Sequence, residues 1–213
     1  MEYYDIRHQV LSAIQEAVSL GLIHGTSGNI AVRDPASGNI AITPSGIAYA
    51  TMTEEDIAIV NPDGKWLEGK FKPSSETPMH TSVLRARPDI NATVHTHGMF
   101  CTLMAMTGEP LRPITPPQAE FTPVPIVPFT MPGTNDLAGA VVQALESRGR
   151  AALLSNHGMF ACGKNIIAAM AAAIYTEEMA QTTYYAKLLG CYKPMSPEAE
   201  AAMQALIAKD QAV

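Results

Sequence analysis

Charge is scarce in this chain of 213 residues: Asp, Glu, Lys and Arg make up 16% of it, and lysine and arginine never cluster. With a net charge of −6, the chain lacks the basic stripe needed to neutralise many phosphates, which argues against a nucleic-acid partner. The low charge beside a 47% hydrophobic share is consistent with part of the surface being covered by other subunits. Cysteine is equally sparse. Cys101, Cys162 and Cys191 are odd in number, widely separated and never arranged as C-x-x-C. That excludes a disulfide framework and a thiolate zinc site and fits a reducing, cytoplasmic setting. No apolar run reaches membrane-spanning length, and the first five residues show neither a basic nor a hydrophobic leader, so no membrane partner and no secretory signal is expected. Linkers, internal repeats and compositional breaks are absent too, and a single domain over 1–213 is the expectation.

What is present has clear periodicity. Ile6, Val10, Ile14 and Val18 recur at helical spacing, and Gly21 stops that helix. Two hairpins follow. Ile30-Ala31-Val32 and Ile40-Ala41-Ile42 flank turn residues 34–39, and Ile57-Ala58-Ile59-Val60 and Lys65-Trp66-Leu67-Glu68 flank an Asn-Pro-Asp-Gly turn. Pro78 with Thr77 as cap opens a helix that runs to Arg87 and is stopped by Pro88. Ser74, Ser75 and Glu76 then sit at a helix N-terminus, where outward N–H groups favour anions.

A β-branched strand carries His95-Thr96-His97, and residues 100–106 read as a short helix. The proline-rich stretch 109–132 allows only an edge-like strand near 124–129, and helix 137–145 is capped near Thr134 or Asn135. Ala151-Ala152-Leu153-Leu154-Ser155 is a buried strand opening onto Asn156-His157-Gly158, with Met159 to Cys162 as its continuation. Asn165 caps a long helix to Leu189 whose apolar residues go nearly all the way round, as in a buried or intersubunit helix, and Ser196-Pro197 starts a last one. Strands in hairpins, segregated from helices, predict a mostly antiparallel sheet covered by helices.

His95 and His97 stand on one face of their strand, a spacing that suits a divalent metal. Two ligands do not make a site, since zinc takes three or four, and a half-buried strand whose histidines bond backbone carbonyls accounts for them equally. His157 at a strand end and Glu76 at a helix start each have the same ordinary structural reading. Glycine, serine, asparagine and proline in the intervening loops are what any surface turn contains.

Taken together and in order, Gly25-Thr26-Ser27-Gly28-Asn29, Thr43-Pro44-Ser45-Gly46, Pro73-Ser74-Ser75-Glu76, His95-Thr96-His97 and Asn156-His157-Gly158 resemble the class II aldolase/adducin-like family, its fuculose-phosphate branch above all. The resemblance runs from the first helix to the long helix after Gly163. It implies a three-layer α/β/α fold with a mixed, mostly antiparallel sheet. It also implies a homotetramer with active sites between subunits and one zinc per subunit, manganese or cobalt being possible substitutes. Carried onto this sequence, the metal ligands would be His95, His97 and His157, with Glu76 as a fourth ligand or a free base. Gly28, Asn29, Ser45, Gly46, Ser74 and Ser75 would hold the phosphate of a small sugar phosphate. Three neutral imidazoles leave a zinc ion its full charge and an open position, a catalytic arrangement.

The chain departs from that branch in one respect. The branch carries an acid tyrosine about twenty residues after its His-x-His and another near the C-terminus. Here residues 114–121 hold no tyrosine, and none follows Tyr192. Glu120 is the candidate replacement, since related epimerases place an aspartate and methylthioribulose-phosphate dehydratases a glutamate nearby; a solvated loop carboxylate is the alternative. The departure opens 5-deoxypentulose and methylthioribulose 1-phosphates as substrates of an aldolase. A dehydratase, a 4-epimerase and a non-catalytic adducin-like interaction domain are the competing readings. Glutamate at 76, where epimerases tend to have aspartate, leans toward the aldolase, and the four intact ligands lean away from a scaffold. No lysine ends an apolar strand, which disfavours Schiff-base chemistry. His8 and His80 read as surface or packing residues and His24 as a neighbour of the phosphate loop. Cys101 and the methionines read as core filling, Glu177 and Glu178 as a solvated face or subunit contact, and Tyr184 and Tyr185 as interfacial.

Overall fold

Hydrophobic residues that alternate along short strands need cover on both faces, and the chain supplies it with two sets of helices. In the computed structural model, which describes residues 2–146 and 148–210, the chain forms one eight-stranded sheet. The expected domain over 1–213 includes residues 1, 147 and 211–213, which lie outside the described residues. The strands are β1 (Asn29–Arg33), β2 (Ile40–Ile42), β3 (Ala58–Val60), β4 (Trp66–Glu68), β5 (Ala92–Thr96), β6 (Ile126–Val127), β7 (Ala151–Leu154) and β8 (Gly158–Gly163). Their order is β4-β3-β2-β1-β5-β8-β7-β6. Neighbours pair antiparallel, except that the proline-flanked edge strand β6 runs parallel to β7. The sheet is therefore mixed and mostly antiparallel.

One face packs on α1 (Tyr4–Ser19), α3 (Met99–Ala105) and α5 (Ile166–Leu188), and the other on α2 (Thr77–Ala86) and α4 (Asn135–Leu145). Side-chain alternation assigns the faces. In β5, Ala92 and Val94 join the α1/α5 core, which sends Thr93 and His95 toward α2. A last helix, α6 (Pro197–Asp210), packs on a 3-10 segment over Pro116–Phe121. That segment was not foreseen in the proline-rich stretch, although Thr115 and Gln118 form a capping box there.

Two expectations need correction. Met159 to Cys162 do not continue β7. The chain reverses through Ser155, Asn156 and His157, and β8 returns antiparallel with Leu154 opposite Gly158. The reversal is possible because Asn156 takes a left-handed conformation, φ 55°, one that asparagine tolerates. Gly158 then passes so close to β5 that a Cβ would strike the Thr96 carbonyl. The helix after Ser75 starts at Thr77 with Glu76 as N-cap, one residue earlier than Thr77 as cap would place it.

Candidate active site

Four side chains meet at the end of β5. His95 and His97 leave the same face of β5, the β7–β8 turn brings His157 beside them, and Glu76 joins them from the N-cap of α2. Their ligand atoms all lie within 4.8 Å of one another. His95 Nε2 is 2.9 Å from His97 Nε2 and 3.1 Å from Glu76 Oε2, and His157 Nε2 is 3.3 Å from Glu76 Oε1.

The hydrogen-bond polarity tests whether a cation fits here. His95 Nδ1 donates to the Met159 carbonyl at 2.8 Å, so a neutral His95 shows a lone pair at Nε2. That lone pair faces a carboxylate oxygen and a second ring nitrogen. The lone pair and the carboxylate oxygen, both acceptors 3.1 Å apart, repel unless a proton or a cation lies between them. Buried Glu76 Oε1 and His157 Nδ1 have no hydrogen-bond partner, and leaving buried polar atoms unpaired is costly. The group could therefore hold a metal ion.

Burial, followed by the charges of His95 and His157, pulls His97 down to about 4, against the pull of Glu76. Burial and His95 do the same to His157, again to about 4. Neutral imidazole is the metal-binding form. Burial pushes the Glu76 carboxyl up, but the hydrogen bond and charge of His95, then Asn29 and His157, outweigh it and leave it well below the usual carboxylate range.

Beside this group lies a cavity of about 310 Å³ lined by three loops, among them Ser27, Gly28, Asn29, Ser45, Gly46, Ser74 and Ser75. Gly28 is indispensable to its shape: φ is +96°, and a Cβ would meet the His95 carbonyl at 2.8 Å. The backbone donors differ from expectation. The N–H groups of Ser45, Ser74 and Glu76 are already given to the Lys72 carbonyl, the Thr43 carbonyl and Ser74 Oγ. Hydroxyl groups on Ser27, Ser45 and Ser75, all exposed toward the cavity, are thus the donors best placed to meet an anion. Tyr49 and Pro132 also line the cavity and were missed in the sequence. The Tyr49 hydroxyl donates to the Gly28 carbonyl at 2.5 Å, tying the first loop to the second. His24 does not line the cavity.

Glu120 is not brought to this group. It lies at the far end of α2 and β5, in a cavity with Arg87, Asp89 and Arg150. The ten residues of α2 separate the two ends by about 15 Å. Glu177 corrects another expectation: its carboxylate accepts the Phe100 and Cys101 N–H groups at 2.8 and 2.9 Å. It caps α3 and anchors the chain just past His97. Glu178 accepts from buried Gln118 at 3.3 Å. His80, expected at the surface or in packing, is fully buried and bonded into the site.

Residues 8–184 match the family described as Class II Aldolase and Adducin N-terminal domain. The chain belongs to the class II aldolase and adducin family. Among its relatives is the 5-deoxy-D-ribulose 1-phosphate aldolase of Bacillus thuringiensis serovar kurstaki, 39% identical over 86% of both chains. Another is the 5-methylthioribulose-1-phosphate/5-deoxyribulose-1-phosphate aldolase of Rhodospirillum rubrum, 37% identical over 83% of this chain and 79% of the relative. A solved L-fuculose 1-phosphate aldolase superposes with a TM-score of 0.91 at 32% identity, covering 96% of each chain. The α/β/α fold expected from the family motifs is the fold observed. No helix among the described residues is long and apolar enough to cross a membrane.

Proposed function

We propose that this chain is a metal-dependent aldolase that reversibly splits a ketose 1-phosphate into dihydroxyacetone phosphate and an aldehyde. The observation that carries the reading is the convergence of Glu76, His95, His97 and His157 at the edge of a hydroxyl-lined cavity of about 310 Å³. 5-Deoxypentulose and 5-methylthioribulose 1-phosphates are favoured over L-fuculose 1-phosphate. Two relatives above are named for the former sugars, and the tyrosines of the fuculose branch are missing here.

His95, His97 and His157 would hold zinc, or manganese or cobalt in its place, with Glu76 as fourth ligand or free base. When bound, the ion supplies Lewis-acid stabilisation of the charge that develops on the ketose oxygens. The remaining chemistry falls to the chain. Ser27, Ser45, Ser74 and Ser75, with Gly28, Asn29 and Gly46 shaping the loops, grip the phosphate through neutral donors. In cleavage Glu76 takes the proton of the C4 hydroxyl, the C3–C4 bond breaks, C4 departs as the aldehyde carbon, and the electron pair stays on C3. Glu76 returns a proton to C3, and in the reverse direction removes it.

One zinc-loaded site per subunit of a cytoplasmic homotetramer is the assembly we infer, each subunit a single domain. Exposed Ile167 and Leu188 on α5 and Leu189 at its C-cap, 77%, 70% and 76% accessible, support subunit contacts. Glu120 could serve as the acid only in a neighbour's site, because its own chain keeps it at the opposite end of β5.

Purified protein incubated with dihydroxyacetone phosphate and a panel of short aldehydes should form ketose phosphates. Loss of water from, or epimerisation of, pentulose phosphates without aldol formation would instead establish the dehydratase or 4-epimerase reading. Dialysed protein should retain about one metal ion per chain; none would favour a scaffold.

A further inference from the structure

Behind Glu76 lies a second polar chain, which shares Asn29 with the first loop of the cavity and runs on into the interior. His80 stands one turn after Glu76 on α2, is 0% exposed, and rests its ring against Phe160 at 5.3 Å. Its Nε2 is 2.5 Å from Asn29 Oδ1 and its Nδ1 is 2.6 Å from Thr93 Oγ1. Asn29 Nδ2 in turn reaches Glu76 Oε2 at 3.1 Å. These residues come from three elements, β1, α2 and β5, and none is on the surface.

The polarity of the whole chain follows from one end. A carboxylate only accepts, so the Asn29 amide presents its NH₂ to Glu76 and its oxygen to His80. That oxygen needs a donor, which places the His80 proton on Nε2 and leaves Nδ1 to accept from the Thr93 hydroxyl. A reversed amide would set its oxygen against the carboxylate, two acceptors face to face. The Asn29 amide, both His80 ring nitrogens and the Thr93 hydroxyl are all paired, and a buried network paired in this way admits one arrangement.

We propose that His80 is a positioning residue: anchored by Thr93, it clamps the Asn29 amide so that Asn29 holds the Glu76 carboxylate in the orientation proton transfer needs. The inference rests on the reading of Glu76 as the proton carrier. His80 touches neither substrate nor the metal-binding atoms. Its effect reaches the reaction only through Asn29, so it should alter turnover more than substrate binding.

Two variants and one spectrum test it. His80→Leu removes the clamp at similar volume, whereas His80→Gln keeps an N–H for Asn29. His80→Leu should lower kcat by at least about ten-fold with KM within about two-fold and metal content unchanged, and His80→Gln should restore kcat to within about three-fold. A folded His80→Leu turning over at the normal rate, or both variants losing turnover equally, would overturn the proposal; equal loss is what mere packing predicts. Should His80→Leu not fold, nitrogen-15 histidine spectra of the unaltered metal-loaded protein decide. The His80 signal, assigned by its absence in His80→Gln, should show a neutral ring protonated on Nε2. A proton on Nδ1 would refute the clamp. The spectrum does not depend on turnover, so an unaltered protein without aldolase activity would defeat the proposed function while the tautomer still reports on the relay.

Discussion

The helix α2 and the strand β5 run between two polar clusters of opposite design. At one end, Arg87 lies 2.7 Å from Asp89 and also donates to the carbonyls of Glu146 and Gly149. Opposite charges meet there, Asp89 is half exposed, and the chain satisfies itself. At the other end, Glu76, His95, His97 and His157 crowd acceptor atoms together where water barely reaches, and two buried atoms lack partners. The first cluster is complete as folded; the second calls for something added. Ion pairs of the first kind hold a structure together, whereas incompleteness of the second kind marks a place where chemistry is done.

The largest effect should come from emptying the incomplete end. His97→Ala should lose metal, read by elemental analysis after dialysis, and lower aldolase turnover by about 10³-fold or more, the several kcal/mol that a bound cation supplies. Glu76→Gln should keep metal yet turn over about 10²- to 10⁴-fold more slowly; normal turnover would remove Glu76 as the proton carrier. The same end should also make the fold acid-sensitive. Burial first, then the charge of His95, hold His80 down to about 3 against Glu76, from an ordinary 6.5. The unfolded chain takes up this proton near its ordinary value while the folded chain refuses it. The stability is therefore fully present above pH 6.5 and is lost progressively as pH falls from 6.5 toward 3. Thermal midpoints across that window should fall more steeply for the unaltered protein than for His80→Gln. The smallest effect belongs to the complete end: Asp89→Asn breaks a partly exposed pair, should cost about 1 kcal/mol or less in denaturant unfolding, and should leave metal content unchanged.

Much of both ends was legible in the sequence because local chemistry writes it there. Alternation set His95 and His97 on one face, Pro78 marked the start of α2 to within a residue, and the turn signals at 34–39 and 61–64 gave both first hairpins. Where the reading failed, the deciding contact was remote in the chain. Ser155, Asn156 and Gly158 are turn residues and offered a local hint of the reversal, but the direction is settled only when Met159 and Phe160 pair with β5 as well as β7. Glu177 read as solvated because α5 is apolar nearly all round and a carboxylate suggests an outer face; its partners lie 76 and 77 residues away. His80 carried a usable signal, its spacing of four from Glu76, which puts both on one side of a helix. Its role through Asn29 needed the fold. Glu120 shows the converse: neighbourhood in sequence to a family position did not translate into neighbourhood in this chain.

The three-residue reversal between β7 and β8 leaves that corner no slack. Lengthening it by a single amino acid would shift β8 out of step, and because facing alternates residue by residue, it would exchange the residues that β8 sends to the two helical layers. Grafts and tags that the 61–64 turn should accommodate would here dismantle the imidazole cluster and the middle of the sheet at once, so one short corner limits both how this protein can be rebuilt and how it can work.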